Sequence, residues 1–86
     1  MAVAQDPLLD RIRGILRPHF PHDTIDVSLS GVRDNVHVVV VSRVFDDMGE
    51  RQKQEYLWDL LDGSDLSDEE KNRISLILAY SPDELK

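Results

Sequence analysis

Apolar residues recur with two different periods along this chain, and the changes of period mark its elements. Leu8, Ile12, Ile15 and Leu16 stand at i, i+4, i+7 and i+8, one stripe of a helix. Asp6-Pro7 opens it: an aspartate can accept from the unpaired amides of the first turn, and proline lacks only an N–H that would be unpaired there anyway. Pro18 and Pro21 stop it, and Phe20 between them is expected to tuck onto the core. The period then falls to two. Ile25-Asp26-Val27-Ser28-Leu29-Ser30 alternates strictly, predicting a half-buried strand with Ile25, Val27 and Leu29 inward. Gly31 to Asn35 is a turn, and the β-branched run from Val36 to Ser42 is the second strand of an antiparallel hairpin.

Beyond the hairpin, Asp47 with Glu50 three residues on has the form of a capping box, and a second helix is predicted to run to about Asp62, with Gly63 as its C′ residue. The first half of that helix, Glu50-Arg51-Gln52-Lys53-Gln54-Glu55, is entirely polar and is expected to project into water. Packing falls to Tyr56-Leu57-Trp58 and Leu60-Leu61. Ser67-Asp68-Glu69-Glu70 repeats the capping pattern behind a staple residue, Leu66, and starts a short helix to about Arg73. Ile74–Tyr80 reads as a third strand, and Ser81-Pro82-Asp83-Glu84 as a last helical turn. The order α-β-β-α-α-β predicts an α+β fold, a three-stranded sheet covered by helices on one face. Residues 1–5 carry no pattern and are expected to be disordered, leaving 6–86 as one domain. If Val38 and Val40 point inward, the open face carries Asp26, Ser28 and Ser30, then His37, Val39 and Val41, then Ser75, Ile77 and Ala79. The valine–isoleucine patch within it is either ordinary surface or a contact surface for a partner or second copy.

Composition narrows the functions open to such a fold. Ten basic residues against 17 acidic give a net charge of −7, which repels a phosphate backbone unless a local basic patch overcomes it. The basic groups (Arg11, Arg13 and Arg17; Arg51 and Lys53) are interrupted by carboxylates and read as solvated helix faces. The absence of cysteine excludes disulfides, thiolate metal sites and cysteine nucleophiles, and agrees with a cytoplasmic protein. No apolar run approaches the length of a membrane span, and Met-Ala-Val-Ala-Gln-Asp lacks the basic-then-apolar form of a signal peptide.

The residues that could carry chemistry are few. His19 and His22 sit in a proline-flanked loop with only Asp23 as a third ligand, and His37 stands alone in a strand. The acidic run from Asp62 to Glu70 has its glycine at position 2, where a calcium loop needs one at position 6, so capping and solvation explain it. No nucleophile has a base fixed beside it, and no phosphate loop, nucleophile elbow or zinc-protease motif occurs. The sequence therefore predicts a non-catalytic protein without a cofactor.

Three stretches, Val38-Val39-Val40-Val41-Ser42-Arg43-Val44-Phe45, the aromatic helix end Tyr56-Leu57-Trp58, and Leu78-Ala79-Tyr80-Ser81-Pro82-Asp83-Glu84-Leu85, carry a likeness that runs from about Leu8 onward. In them the chain resembles the BolA-like family. The resemblance implies a three-stranded mixed sheet with helices packed on one face, similar to type II KH domains. It also implies links to monothiol glutaredoxins, iron–sulfur cluster handling and stress-linked regulation. The sequence departs from the family where a cluster would bind. Arg73 falls where the family typically has a ligand histidine, and a guanidinium stays protonated. The loop between the first two strands offers only Asn35 and His37. Lys53-Gln54-Glu55 replaces an Arg-His-Arg type stretch, and the Gly-x-x-Gly loop of RNA-binding KH domains is missing.

The reading that follows is a protein-interaction or regulatory adaptor, monomeric or weakly dimeric. Its candidate surfaces are the polar helix start (Glu50, Arg51, Lys53, Gln54) and the open sheet face (His37, Val39, Val41, Ile77). A metal- or cluster-linked partner of a monothiol glutaredoxin, using His37, is the alternative. Nucleic-acid binding through the hairpin and first helix is a weaker one.

Overall fold

The structure, a computed structural model, describes residues 7–31 and 35–85. The Asp6 cap, the N-terminal segment 1–5 and the middle of the first turn lie outside the described residues. The elements follow the predicted order: α1 (Pro7–Leu16), β1 (Thr24–Leu29), β2 (Val36–Val41), α2 (Glu50–Asp62), α3 (Asp68–Asn72) and β3 (Ile74–Tyr80). Short 3-10 turns follow β2 at Arg43–Phe45 and β3 at Pro82–Leu85. β2 is central, antiparallel to β1 and parallel to β3, so the sheet is mixed. The parallel pair requires a crossover, and α2 with α3 supplies it. α1 lies over β1, α2 lies over β3, and the two helices touch.

The core forms between these helices and one face of the sheet. Val27, Val36, Val38, Val40, Ile77 and Ala79 come from the strands; Leu8, Leu9, Ile12 and Leu16 from α1; Leu57 and Leu61 from α2. Leu9 thus joins the α1 stripe, while Ile15 is only half-buried at its margin. Phe20 is fully buried, as the loop prolines suggested, and packs against Phe45 and Tyr56 with ring centroids 5.7 and 6.1 Å away. Leu29 shares the inward parity of Val27 but stands at the end of an edge strand, past the reach of α1, and is 48% exposed.

Several caps behave as the sequence predicts. Ser67 accepts from the Glu70 amide at 3.1 Å while the Glu70 carboxylate accepts from the Ser67 amide at 2.9 Å, completing the capping box of α3. At the last turn, Glu84 Oε1 accepts from the Ser81 amide at 2.8 Å. Others differ. α2 starts one turn of chain after β2, because Ser42 caps the turn Arg43–Phe45 first, its hydroxyl accepting from the Val44 amide at 3.1 Å. The N-cap of α2 is therefore Gly49, and no side chain caps it; Asp47 does not. Gly63 ends α2 with φ −79, in the right-handed region, so its freedom to adopt positive φ is not used.

Candidate functional site

The polar start of α2 does not stand clear of the protein. Lys53 is 3% exposed, and its ammonium donates to Glu84 at 2.6 Å and to Glu50 at 3.1 Å. This joins α2 to the C-terminal turn. The bond to Glu84 raises the Lys53 pKa above its ordinary value against the opposing effect of desolvation, with the bond to Glu50 adding to the rise. The same bond to Lys53, followed by the Ser81 amide, lowers the pKa of Glu84. Gln54 donates through Nε2 to the Ile77 carbonyl at 2.5 Å. Lys53 and Gln54 are thus committed within the fold. Glu50 and Arg51 alone of that group remain at the surface, Arg51 92% exposed and 3.7 Å from Glu55.

The open face of the sheet is more apolar than predicted. β2 turns His37, Val39 and Val41 outward, as expected from Val38 and Val40 pointing in. β3 has the opposite parity to the one expected. Ile77 pairs with Val38 and Ala79 with Val40 on the buried side, so Ile77 is a core residue and not part of the open face. Leu76, Leu78 and Tyr80 take the outer positions, beside His37, Val39 and Val41 respectively. The register shift between Val36 and His37 is the cause: Ile74 and Ile77 both point inward across an irregularity. Val39, Val41, Leu76, Leu78 and Tyr80 therefore form one continuous apolar strip, bordered on β1 by Thr24, Asp26 and Ser28. The helices all lie on the other face, and the strip residues are half-buried by one another, with Leu76 38% exposed.

At one end of this face Arg73, the C-cap of α3, accepts through its carbonyl from the Val36 amide at 2.7 Å. The chain is thus brought beside Asn35 and His37, where the resemblance would place cluster ligands. The donor set does not fit a cluster or a transition metal. A guanidinium occupies the histidine position, no thiolate exists, and among the described residues no three of His, Asp and Glu converge as ligands. His19 and His22 are exposed on the α1–β1 loop. An open cleft of about 450 Å³ lies between α2 and α3, lined by Trp58, Asp62, Asp68, Lys71 and Asn72. Lys71 spans it, 3.2 Å from Asp62 and 3.5 Å from Asp68, so its charges are largely paired.

A mixed three-stranded sheet, helices on one face and the order α-β-β-α-α-β together define a BolA-like α+β fold. The chain is similar in structure to the BolA1 protein from Mus musculus, solved in solution, with a TM-score of 0.70 and 20% identity over 98% of this chain and 72% of that one. No family model and no curated protein matches the sequence. Among the described residues no helix is long and apolar enough to cross a membrane.

Proposed function

We propose that this chain is a non-catalytic interaction module with a BolA-like fold, and that it docks a protein partner on the open face of its sheet. The observation that carries this reading is the continuous strip Val39, Val41, Leu76, Leu78 and Tyr80, which no element among the described residues covers. Burial of such a strip on a partner releases ordered water and supplies the main favourable term of association. His37 and Asp26 are the side chains on the face that can carry charge near neutral pH, so partner charge matters at its rim more than its centre. A chain of net charge −7 favours a partner with a basic rim. A monothiol glutaredoxin is the first partner to test, because the resemblance implies one. Arg73 makes that pairing one without a shared cluster.

The experiment is a capture series with folded variants. Val39→Glu and Leu78→Glu each place a carboxylate in the strip and are expected to weaken capture of the partner by about tenfold or more. Arg51→Glu, on the exposed start of α2, is expected to leave capture within about twofold. Equal loss from Arg51→Glu, or none from the face variants, would place the surface elsewhere.

A further inference from the structure

The outward edge of β1 carries a second, independent contact. Just past the end of β1, the Ser30 amide donates to the Asn35 carbonyl at 2.9 Å, which fixes Ser30 and Asn35 as a hydrogen-bonded pair. Antiparallel pairs alternate, so Ser28, Asp26 and Thr24 also exchange bonds with β2. The intervening Ile25, Val27 and Leu29 then direct their amides and carbonyls away from β2, along the open edge. At the middle of that edge the Arg13 guanidinium donates to the Val27 carbonyl at 2.7 Å, steadied by Asp10 at 2.8 Å. A charged donor therefore occupies the central acceptor that an added strand would need.

We propose that the β1 edge is a strand-addition surface for a second copy of this chain, and that Arg13 holds it shut. The edge is complementary to itself about a twofold axis through Val27. Antiparallel pairing in that register sets Val27 opposite Val27 of the second copy, and the pair exchanges the two N–H···O bonds for which the Val27 carbonyl must be released. Ile25 lies opposite Leu29, giving an apolar neighbour to a side chain that is 48% exposed in the single chain. On the other face Asp26 lies opposite Ser28, so no like charges meet. The neighbouring registers that preserve the pairing lose one of these features: moving the axis to Asp26 sets Asp26 opposite Asp26 of the second copy, and moving it to Ser28 leaves Ile25 opposite Gly31, beyond the end of the strand.

The test compares wild type with Arg13→Met and Arg13→Ala. Arg13 is a half-exposed helix position, so both variants keep the fold. Sedimentation velocity over a concentration series is expected to show a dimer whose dissociation constant is at least about tenfold below that of wild type. Hydrogen exchange is expected to slow at the amides of Ile25, Val27 and Leu29. In the Arg13→Met background, Ser28→Asp sets a carboxylate opposite Asp26 and should abolish the dimer, while Ser28→Lys should tighten it. Association unchanged from wild type in both Arg13 variants would overturn the proposal. So would a dimer insensitive to the Ser28 changes, or loss of the fold in both Arg13 variants.

Discussion

Phe20→Ala is expected to lower the unfolding free energy by about 3–5 kcal/mol and the melting temperature by roughly 15–30 °C. Phe20 comes from the loop between α1 and β1, yet it is fully buried and contacts two other rings, Phe45 at 5.7 Å and Tyr56 at 6.1 Å. Phe45 and Tyr56 are themselves 6.0 Å apart, so the three rings close on one another. They belong to three separate stretches of chain: the first loop, the turn after β2, and α2. Removing the central ring deletes its own burial and leaves a cavity that three elements would have to move to fill. A domain of this size has total stability of about 4–13 kcal/mol, so the loss is a large share of it. Thermal and urea unfolding check the result. A change of less than about 1 kcal/mol would mean that the ring is not a load on the fold.

The Lys53–Glu84 pair is expected to set the pH limits of stability. Glu84 has a lowered pKa in the folded protein because it accepts from Lys53 and from the Ser81 amide. Its contribution is full above the ordinary carboxylate value of 4.5 and is lost as the pH falls through the lower folded value. Lys53 has a raised pKa, chiefly through Glu84. Its contribution is full below 10.5 and is lost as the pH rises through the higher folded value. The melting temperature is therefore expected to be nearly flat between these limits and to fall beyond both. Glu84→Gln keeps an oxygen for the Ser81 amide but removes the charge. It should lower the neutral-pH melting temperature by roughly 4–8 °C and flatten the acid limb. Lys53→Met, which fills the same space without a charge, should flatten the alkaline limb with a smaller loss at neutral pH. Unchanged limbs in both variants would assign the pH dependence to other groups.

The two helix-start residues in this network show where a sequence stops being legible. Six polar residues in a row look alike whether water or the protein satisfies them. Lys53 and Gln54 reach across to Glu84 and the Ile77 carbonyl, contacts 31 and 23 residues away in the chain, and no local pattern records them. The strands divide in the same way. β1 and β2 sit beside polar alternation or a clear turn, and their pairing was predictable. β3 reads Ile-Ser-Leu-Ile-Leu-Ala-Tyr, apolar at both parities, so the sequence leaves its facing undecided. A register irregularity opposite Val36 and His37 then places Ile77 inside and Leu76, Leu78 and Tyr80 outside. Two of the five residues of the candidate docking strip, Val39 and Val41, were therefore visible, and the three from β3 depended on tertiary register. Caps were legible where a Ser and a Glu stand three apart, at α3 and the last turn. The cap at α2 was not, because the Ser42 turn took up the chain ahead of Asp47.

Amide chemical-shift mapping separates docking on the open sheet face from docking anywhere else on the molecule. The isotopically labelled chain is titrated with an unlabelled monothiol glutaredoxin prepared without a cluster, or with the partner recovered by the capture series. Docking on the strip predicts the largest shifts at His37, Val39 and Val41 of β2 and at Leu76, Leu78 and Tyr80 of β3, with α1 and the start of α2 little changed. Shifts concentrated at Glu50 and Arg51, or around Trp58 and Lys71 in the α2–α3 cleft, with the strip unmoved, would contradict it.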